Sequence, residues 1–359
     1  MLYDMGHSVH VITDYTLEPG EQVGQIIDIG FCSYQACAVM RIRDRLEINK
    51  KRYSCVKKYL DTVSVDYIIT NNFPFDYKKM KELVERKKIP YAIELCEWFD
   101  ASNYKFGKCD IRYRINDKTL RTKYVRESKI IAISRYLQNY YLEHGVNCIR
   151  IPTILDMNEY RFSENFESDK LKIMYAGNPG KSKELLREIF RAIQAIKQED
   201  DQFSKKFSFD LYGVNEAQVL FNIENDIELL KSIQDCIHIK GKVKQETMND
   251  VYLEHNFSIF MRPHRRSSEA GFPTKLAESL AAGTPVLANS TGDISCYINN
   301  GRNGFLIENE STALKEMFSY LLTMSKAEYQ EMRKNARETA EQSFDYRIYE
   351  EEVGKFIHE

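Results

Sequence analysis

The chain has 359 residues, 43% of them hydrophobic, with 51 basic against 53 acidic side chains and a formal net charge of −2. That length suits two domains, each able to bury its own core, and the near-neutral balance argues against a general nucleic-acid binder. No apolar run is long enough to span a bilayer, and the start runs straight into a strand without a secretory signal.

The first elements are unusual. Residues 1–13 read as the tail of a helix, a Gly6 cap and a buried strand Val9–Thr13. A doubly wound domain normally opens with a strand, a glycine-bearing loop and a full helix. Only the last turn of that helix is present, so the first strand and loop of the N-terminal domain are expected to be missing. A basic run follows: Arg41, Arg43, Arg45, Lys50, Lys51, Arg52, Lys57 and Lys58 against Asp44 and Glu47 only. Its commoner meaning is a solvated helix face. The functional alternative is contact with an anionic membrane surface or a pyrophosphate-linked lipid acceptor.

Alternating strands and helices come next. Val65–Thr70, Ile89–Leu95, Lys129–Ser134 and Cys148–Pro152 read as strands, with a polar helix Asp76–Lys87 and a tyrosine-rich helix Arg135–His144 among them. Thr153–Lys170 is polar and irregular, and is the natural linker. The pattern then restarts with strands at Leu171–Tyr175, Phe207–Tyr212, Ile237–Ile239, Phe257–Met261 and Pro285–Ala288, and helices through Ile196, over Ala327–Glu341 and over Tyr346–His358. Strands alternating with helices imply parallel sheets covered on both faces. The expected division is an N-terminal domain 1–152, a linker 153–170, a C-terminal domain 171–342 and a last helix 343–359.

The most informative stretch is Gly271-Phe272-Pro273-Thr274-Lys275-Leu276-Ala277-Glu278, continuing to Gly283-Thr284-Pro285-Val286. Gly271 and Pro273 shape a loop, Thr274 can cap a helix, and Gly283 ends it before a buried strand. A helix start of this kind aims free N–H groups at an anion. Lys275 and Glu278 are three apart, on the same side of the first turn. A cation near a phosphate and a carboxylate near sugar hydroxyls make a sensible nucleotide-sugar clamp; the plainer alternative is a capped core helix and strand.

Other strand ends supply further candidates. Tyr175-Ala176-Gly177-Asn178-Pro179-Gly180-Lys181-Ser182-Lys183 follows a strand and opens a helix. It contains Gly-Lys-Ser, but a P-loop needs a glycine five residues earlier, in the region of Met174 and Tyr175. Arg262 ends a strand beside the main motif, where a guanidinium suits bidentate phosphate contacts. Gly292, in Thr291-Gly292-Asp293, allows close approach of a base or ribose. Glu97 and the only tryptophan, Trp98, cluster with Glu94 and Asp100 after a strand, a composition that suits sugar binding; the alternative is a packed Trp98 and solvated acids. His7, His10 and His144 read as structural. No His/Asp/Glu cluster has metal-ligand spacing. The eight cysteines (Cys32, Cys37, Cys55, Cys96, Cys109, Cys148, Cys236 and Cys296) lack C-x-x-C spacing and read as reduced cytosolic thiols.

Taken together, these motifs resemble the retaining GT-B glycosyltransferases of family 4, in the group where Pro-Thr-Lys precedes the glutamate. The resemblance extends over nearly the whole chain, through Ile130–Ser134, the Ile151-Pro152 exit with Asp156, and Phe344-Asp345-Tyr346. It implies an α/β GT-B fold, two Rossmann-like domains with a cleft between them, the last helix crossing back to the first domain. It implies transfer of a sugar from a nucleotide-diphosphate donor, a UDP-sugar by preference, to a saccharide or lipid-linked saccharide with retention. No metal or other cofactor is implied. The setting is surface-polysaccharide assembly, cytoplasmic or peripheral on the inner membrane face.

By the same resemblance Glu278 binds the ribose, and the amides of Phe272 to Lys275 lie by the diphosphate with Gly177 and Gly271. Lys183, Arg262 and Lys275 stabilise the departing diphosphate. Lys183 matches the lysine of a basic pair whose usual arginine is replaced by Asn178. Family members often carry a second glutamate eight residues before the first. Here Ala270 stands at that position and Glu269 is one residue away, so Glu269 is the donor-side candidate. The alternatives are a nucleotide-sugar-binding protein that has lost catalysis and a GT-B nucleotide-sugar epimerase. A dehydrogenase would need a G-x-G-x-x-G after a strand, which is absent.

Overall fold

The computed structural model describes residues 1–13, 22, 25–36, 48–72, 77–127, 129–164, 168–180 and 183–359. Of the sequence candidates, Arg41, Arg43, Asp44, Arg45 and Glu47 of the basic run lie outside the described residues, as do Cys37, Asp76, Lys181 and Ser182. Two compact units divide the chain. One comprises Met1–Ile133, Leu137–Arg150 and Tyr349–Glu359; the other comprises Ser134–Tyr136 and Ile151–Ile348.

The first unit contains strands β1 (His10–Thr13), β2 (Ile26–Asp28), β3 (Ser33–Ala36), β4 (Ile68–Asn71), β5 (Tyr91–Leu95), β6 (Lys129–Ala132) and β7 (Asn147–Arg150). The last four form a parallel sheet in the order β4-β5-β6-β7. Parallel neighbours need crossovers, which helices supply. Helix Tyr77–Lys87 buries Tyr77, Met80, Leu83 and Val84, the stripe expected of a helix lying on a sheet. Behind it, Glu127 is buried and accepts from the hydroxyls of Tyr77 and Tyr91 and from Lys81 Nζ at 2.8 Å.

The expected buried strand at the start is corrected. Strand β1 is at most half-buried, with Val11 exposed. The reason is topological: β1 belongs to a separate three-stranded sheet, β1-β3-β2, parallel to β3, with β2 antiparallel. His10 donates or accepts across this sheet to Ser33 Oγ at 2.7 Å and stacks on Tyr59.

The second unit is a six-stranded, wholly parallel sheet. Its strands are β8 (Leu171–Ala176), β9 (Phe207–Tyr212), β10 (Ile237–Gly241), β11 (Phe257–Phe260), β12 (Val286–Ala288) and β13 (Gly304–Leu306), in the order β10-β9-β8-β11-β12-β13. Every residue of β9, β11 and β12 is buried, as a sheet covered on both faces requires. Helix Leu186–Glu199 lays Ile189, Phe190, Ile193 and Ile196 on the sheet and packs against helix Ser311–Leu321. Helix Thr274–Ala281 packs against helix Lys326–Ser343.

Because all six strands run the same way, their carboxyl ends share one edge. The loops there are tied to one another. Gly177 N donates to Tyr212 O at 3.0 Å, Gly213 N to Gly241 O at 2.7 Å, and Leu185 N to Met261 O at 2.8 Å. This edge is where open α/β sheets bind ligands.

One glycine is demanded by packing on the opposite flank. Gly304 opens β13 with φ +157°, and a Cβ there would land on the Val286 carbonyl oxygen. Both atoms belong to paired backbone, so neither can step aside. Gly304→Ala is therefore expected to destabilise the second unit by about 2–4 kcal/mol, read as a lower midpoint in urea; an unchanged midpoint would contradict the strand pairing.

Candidate functional site

Helix Thr274–Ala281 starts at the carboxyl edge of the second unit's sheet. The sequence expectation that Thr274 caps it is corrected: Pro273 occupies the N-cap position and no side chain caps the helix. Thr274 is the first helical residue and is exposed. The positive end of the helix is thus left without a side-chain acceptor, which leaves it available to an anion. Beneath it a buried chain of hydroxyls fixes the helix. Ser258 donates to Ser279 Oγ at 2.7 Å, Ser279 to Thr284 O at 2.7 Å, and Thr284 Oγ1 to Tyr252 O at 2.7 Å. Arg337 closes the other end through Ala281 O at 2.7 Å.

Lys275 turns inward from this first turn. Its Nζ lies 2.9 Å from Glu184 Oε1, with the two side chains 17% and 2% exposed. The ammonium also sits over the rings of Tyr175, 4.3 Å from the centroid, and Phe260, at 5.3 Å. A Cβ on Gly177 would stand 3.4 Å from Nζ, so the glycine, at φ +126°, brings bare backbone alongside the charge. Burial pulls the Lys275 pKa below its ordinary value; Glu184 opposes the fall, while Lys183 and Arg262 add to it. Lys183 and Arg262 are thus close enough to act on the Lys275 charge, which among the described residues Glu184 alone pairs.

That carboxylate is half used. Glu184 Oε2 is buried without a hydrogen-bond partner among the described residues, and so is the Tyr175 hydroxyl. Burial drives the Tyr175 hydroxyl's pKa upward, so it stays protonated and can donate. Asn222 pins the loop that carries Glu184: its Nδ2 donates to Gly180 O at 3.1 Å and Glu184 O at 2.9 Å, and its Oδ1 accepts from Leu186 N at 3.1 Å. Glu184 and Asn222 were not singled out in the sequence, and Tyr175 only as the residue that opens the glycine loop. No local pattern marks Glu184, because its partner Lys275 is 91 positions away.

Glu278, one turn after Lys275, faces a different set. It accepts from Gln245 Nε2 at 3.0 Å and from the Tyr252 hydroxyl at 3.3 Å. Tyr160 is near enough for Glu278 to add to a pKa that burial pushes up to about 12. Lys275 and Glu278 thus share the first turns but not a partner. One presents a positive charge at the glycine loop, the other a carboxylate among hydroxyl and amide donors.

The remaining candidates divide. Lys183 is exposed, and its backbone N donates to Pro179 O at 3.0 Å. Arg262 is buried; its Nη1 donates to Ser268 O at 3.2 Å, and its backbone is held by Asn289 on both sides, N to Oδ1 at 2.7 Å and O from Nδ2 at 2.6 Å. Gly271 is extended, at φ −92°, so it is not there for a left-handed turn. The Phe272 side chain packs edge-on against Tyr297 and Phe344, leaving only its backbone to a ligand. Pro273 is buried. Glu269 accepts from Gly292 N at 2.8 Å. Gly292, at φ +56°, has room only for hydrogen, because a Cβ would stand 3.0 Å from Ser268 O and 3.1 Å from Glu269 O. The close approach seen there is to this backbone.

In the first unit, Trp98 is 1% exposed. Its Nε1 donates to Asp117 at 2.9 Å, Tyr140 meets it edge-on and Arg121 lies over its ring. The acceptor-side role expected of Trp98 is corrected: a ring enclosed this way has no face for a sugar. Glu97 beside it is exposed. Among the described residues, no group of three or more His, Cys, Asp or Glu side chains is placed to hold a metal ion. No described helix is long and apolar enough to cross a membrane.

Residues 170–324 match the family described as Glycosyl transferases group 1. No curated protein matches the sequence. Among solved structures, the chain is similar to sucrose-phosphate synthase from Thermosynechococcus elongatus, with a TM-score of 0.75, 17% identity, and coverage of 99% of this chain and 90% of that one. It is similar to a glycosyltransferase from Rickettsia africae, at TM-score 0.67 and 15% identity over 99% and 91% of the two chains. It is also similar to Anabaena HepE solved with UDP and glucose, at TM-score 0.65 and 15% identity over 98% and 100%. At these identities the likeness establishes the fold, which is GT-B.

The buried ion pair has a stability signature. Glu184→Gln leaves Lys275 buried without a counter-charge and is expected to cost about 3 kcal/mol at neutral pH. Loss of Glu184 lowers the folded-state lysine pKa further. The unfolded chain then binds a proton that the folded one does not, between the lowered pKa and 10.5, and stability rises with pH across that window. Urea unfolding should show the deficit of the variant shrinking as pH is raised towards the unfolded lysine pKa; a deficit independent of pH would mean the pair carries no such linkage.

Proposed function

We propose that this protein is a glycosyltransferase that moves a sugar from a nucleoside-diphosphate donor, UDP by preference, to a saccharide or lipid-linked saccharide hydroxyl with retained configuration. The observation that carries the reading is Lys275. A lysine ammonium is held at the carboxyl edge of a parallel sheet, beside the bare backbone of Gly177 and at an uncapped helix start, with Lys183 and Arg262 nearby. That arrangement supports binding of a diphosphate. Glu278, already accepting from an amide and a phenol, can accept equally from the two hydroxyls of a ribose.

The family match of residues 170–324 supports this assignment for the second unit. So does the existence of similar structures of Anabaena HepE with UDP and with UDP-glucose. In the reaction, the bond between the anomeric carbon and the diphosphate oxygen breaks and its electron pair leaves with the diphosphate. The acceptor oxygen bonds the anomeric carbon and passes its proton to the departing diphosphate oxygen. Negative charge grows on the departing diphosphate, where Lys275 is positioned to balance it.

A second reading, a nucleotide-sugar-binding protein without transfer, is favoured by one observation. Glu269, the donor-side carboxylate candidate, is engaged by the Gly292 amide.

One titration with its companion assay tests both. Calorimetry of UDP, GDP and ADP should show binding with preference for UDP, and Glu278→Ala should weaken it at least about tenfold, or about 1.4 kcal/mol, without changing the melting temperature. Unchanged affinity in the folded variant would remove Glu278 from the site. Incubation with UDP-sugars and acceptor saccharides should yield product; nucleotide binding with neither transfer nor donor hydrolysis would select the second reading.

A further inference from the structure

The first unit carries a surface that the functional reading does not use. Phe106 and Ile111, at 66% and 70% exposed, are the two most exposed large apolar side chains among the described residues. They stand five residues apart, joined by the short turn Gly107–Cys109. Two exposed lysines belong to the same segment: Lys105, whose Nζ lies 5.6 Å from the Phe106 ring centroid, and Lys108. Helix Ile111–Lys118 continues the surface, since Ile111, Arg114 and Lys118 fall at i, i+3 and i+7 on one face and are all exposed. Arg114 Nε donates to Lys108 O at 2.9 Å, which fixes the helix against the turn.

The acids of this segment do not offset these cations outwardly. Asp110 is buried, caps the helix through Arg112 N at 3.0 Å and is gripped by the Arg112 guanidinium at 3.0 and 2.8 Å. Its carboxyl is held down at about 2 by Arg112, so it stays ionised and bound. Asp117 is shared between Trp98 Nε1 and Arg121, each at 2.9 Å. The side chains that this segment exposes are therefore the apolar Phe106 and Ile111 together with the cations Lys105, Lys108, Arg114 and Lys118. The chain as a whole has a net charge of −2, so the positive patch is a local feature.

We infer that residues 104–118 form a docking surface for an anionic lipid bilayer, with Phe106 and Ile111 entering the headgroup boundary and the segment's lysines and arginines meeting acidic headgroups. Charge complementarity supplies the attraction, and the exposed apolar pair separates a lipid from other polyanions, which give such side chains nothing to enter. The surface differs from the basic run 41–58. In the described part of that run Lys51 and Arg52 are half-buried and Lys57 is paired with Asp61 at 2.9 Å.

The test is sedimentation of the full chain with phosphatidylcholine vesicles, with and without phosphatidylglycerol. Binding is expected only to the mixed vesicles and is expected to weaken as added salt shortens the Debye length. The double variant Phe106→Ser, Ile111→Ser should lose about tenfold or more in partitioning. Lys105→Glu with Lys108→Glu should also bind less and lose much of the salt dependence. Both variants should keep the wild-type melting temperature and UDP affinity, which separates this surface from the donor site. Equal binding to neutral vesicles, absence of vesicle binding, variants that bind like wild type, or retention on heparin or RNA without binding to vesicles would each overturn the inference.

Discussion

The second unit is organised around a charge that it must keep out of water. Lys275 is brought inside by a helix whose apolar residues Leu276, Ala277 and Leu280 are fully buried, and whose register is locked by the Ser258–Ser279–Thr284 chain. An ammonium in that position is unfavourable without a partner. Glu184 supplies one at 2.9 Å, and Asn222 holds Glu184 in place. The aromatic faces of Tyr175 and Phe260 add attraction without adding a second full negative charge. The ion pair is compact but unsaturated: Glu184 Oε2 and the Tyr175 hydroxyl are buried with no partner among the described residues.

The glycines of the edge belong to the same arrangement. Gly213 packs so tightly on Gly177 that a Cβ would stand 3.2 Å from Gly177 N, and Gly177 in turn lies against the Lys275 ammonium. Neighbouring strands β8 and β9 thus end in side-chain-free backbone precisely where the charge is. The parallel topology is what makes this work. Six strands with a common direction deliver their loops to one edge, so that residues 177–180, 183–184, 262 and 275–278 all follow strand ends there although they are far apart in the chain.

Much of this was legible in the sequence, for physical reasons that differ by element. The strands of the second unit appear as short apolar runs ending at glycine or a polar loop, and Phe207–Tyr212 was read with its observed bounds. Lys275 and Glu278 stood out because two charged residues interrupt an otherwise apolar helix start. Glu184 did not, since its burial depends on a partner reached only through the fold. The same limit applies to Gln245 and Tyr252, which meet Glu278 from another loop and helix. Strands β2 and β3 were missed because Ile26–Asp28 and Ser33–Ala36 are short and mixed in polarity, and they pair outside the main sheet. Trp98 is open to two readings in the sequence, a sugar platform or a packed ring, and only the fold brings Asp117, Tyr140 and Arg121 to enclose it.

The central claim is that the Lys275–Glu184 pair and Glu278 together form a nucleoside-diphosphate site. A crystal structure of the protein with UDP tests it most directly. The account predicts diphosphate oxygens within hydrogen-bond distance of Lys275 Nζ, at the helix start beside Gly177, and ribose hydroxyls donating to Glu278. UDP bound elsewhere, with the Lys275–Glu184 pair undisturbed and Glu278 still facing Gln245 and Tyr252, would contradict it.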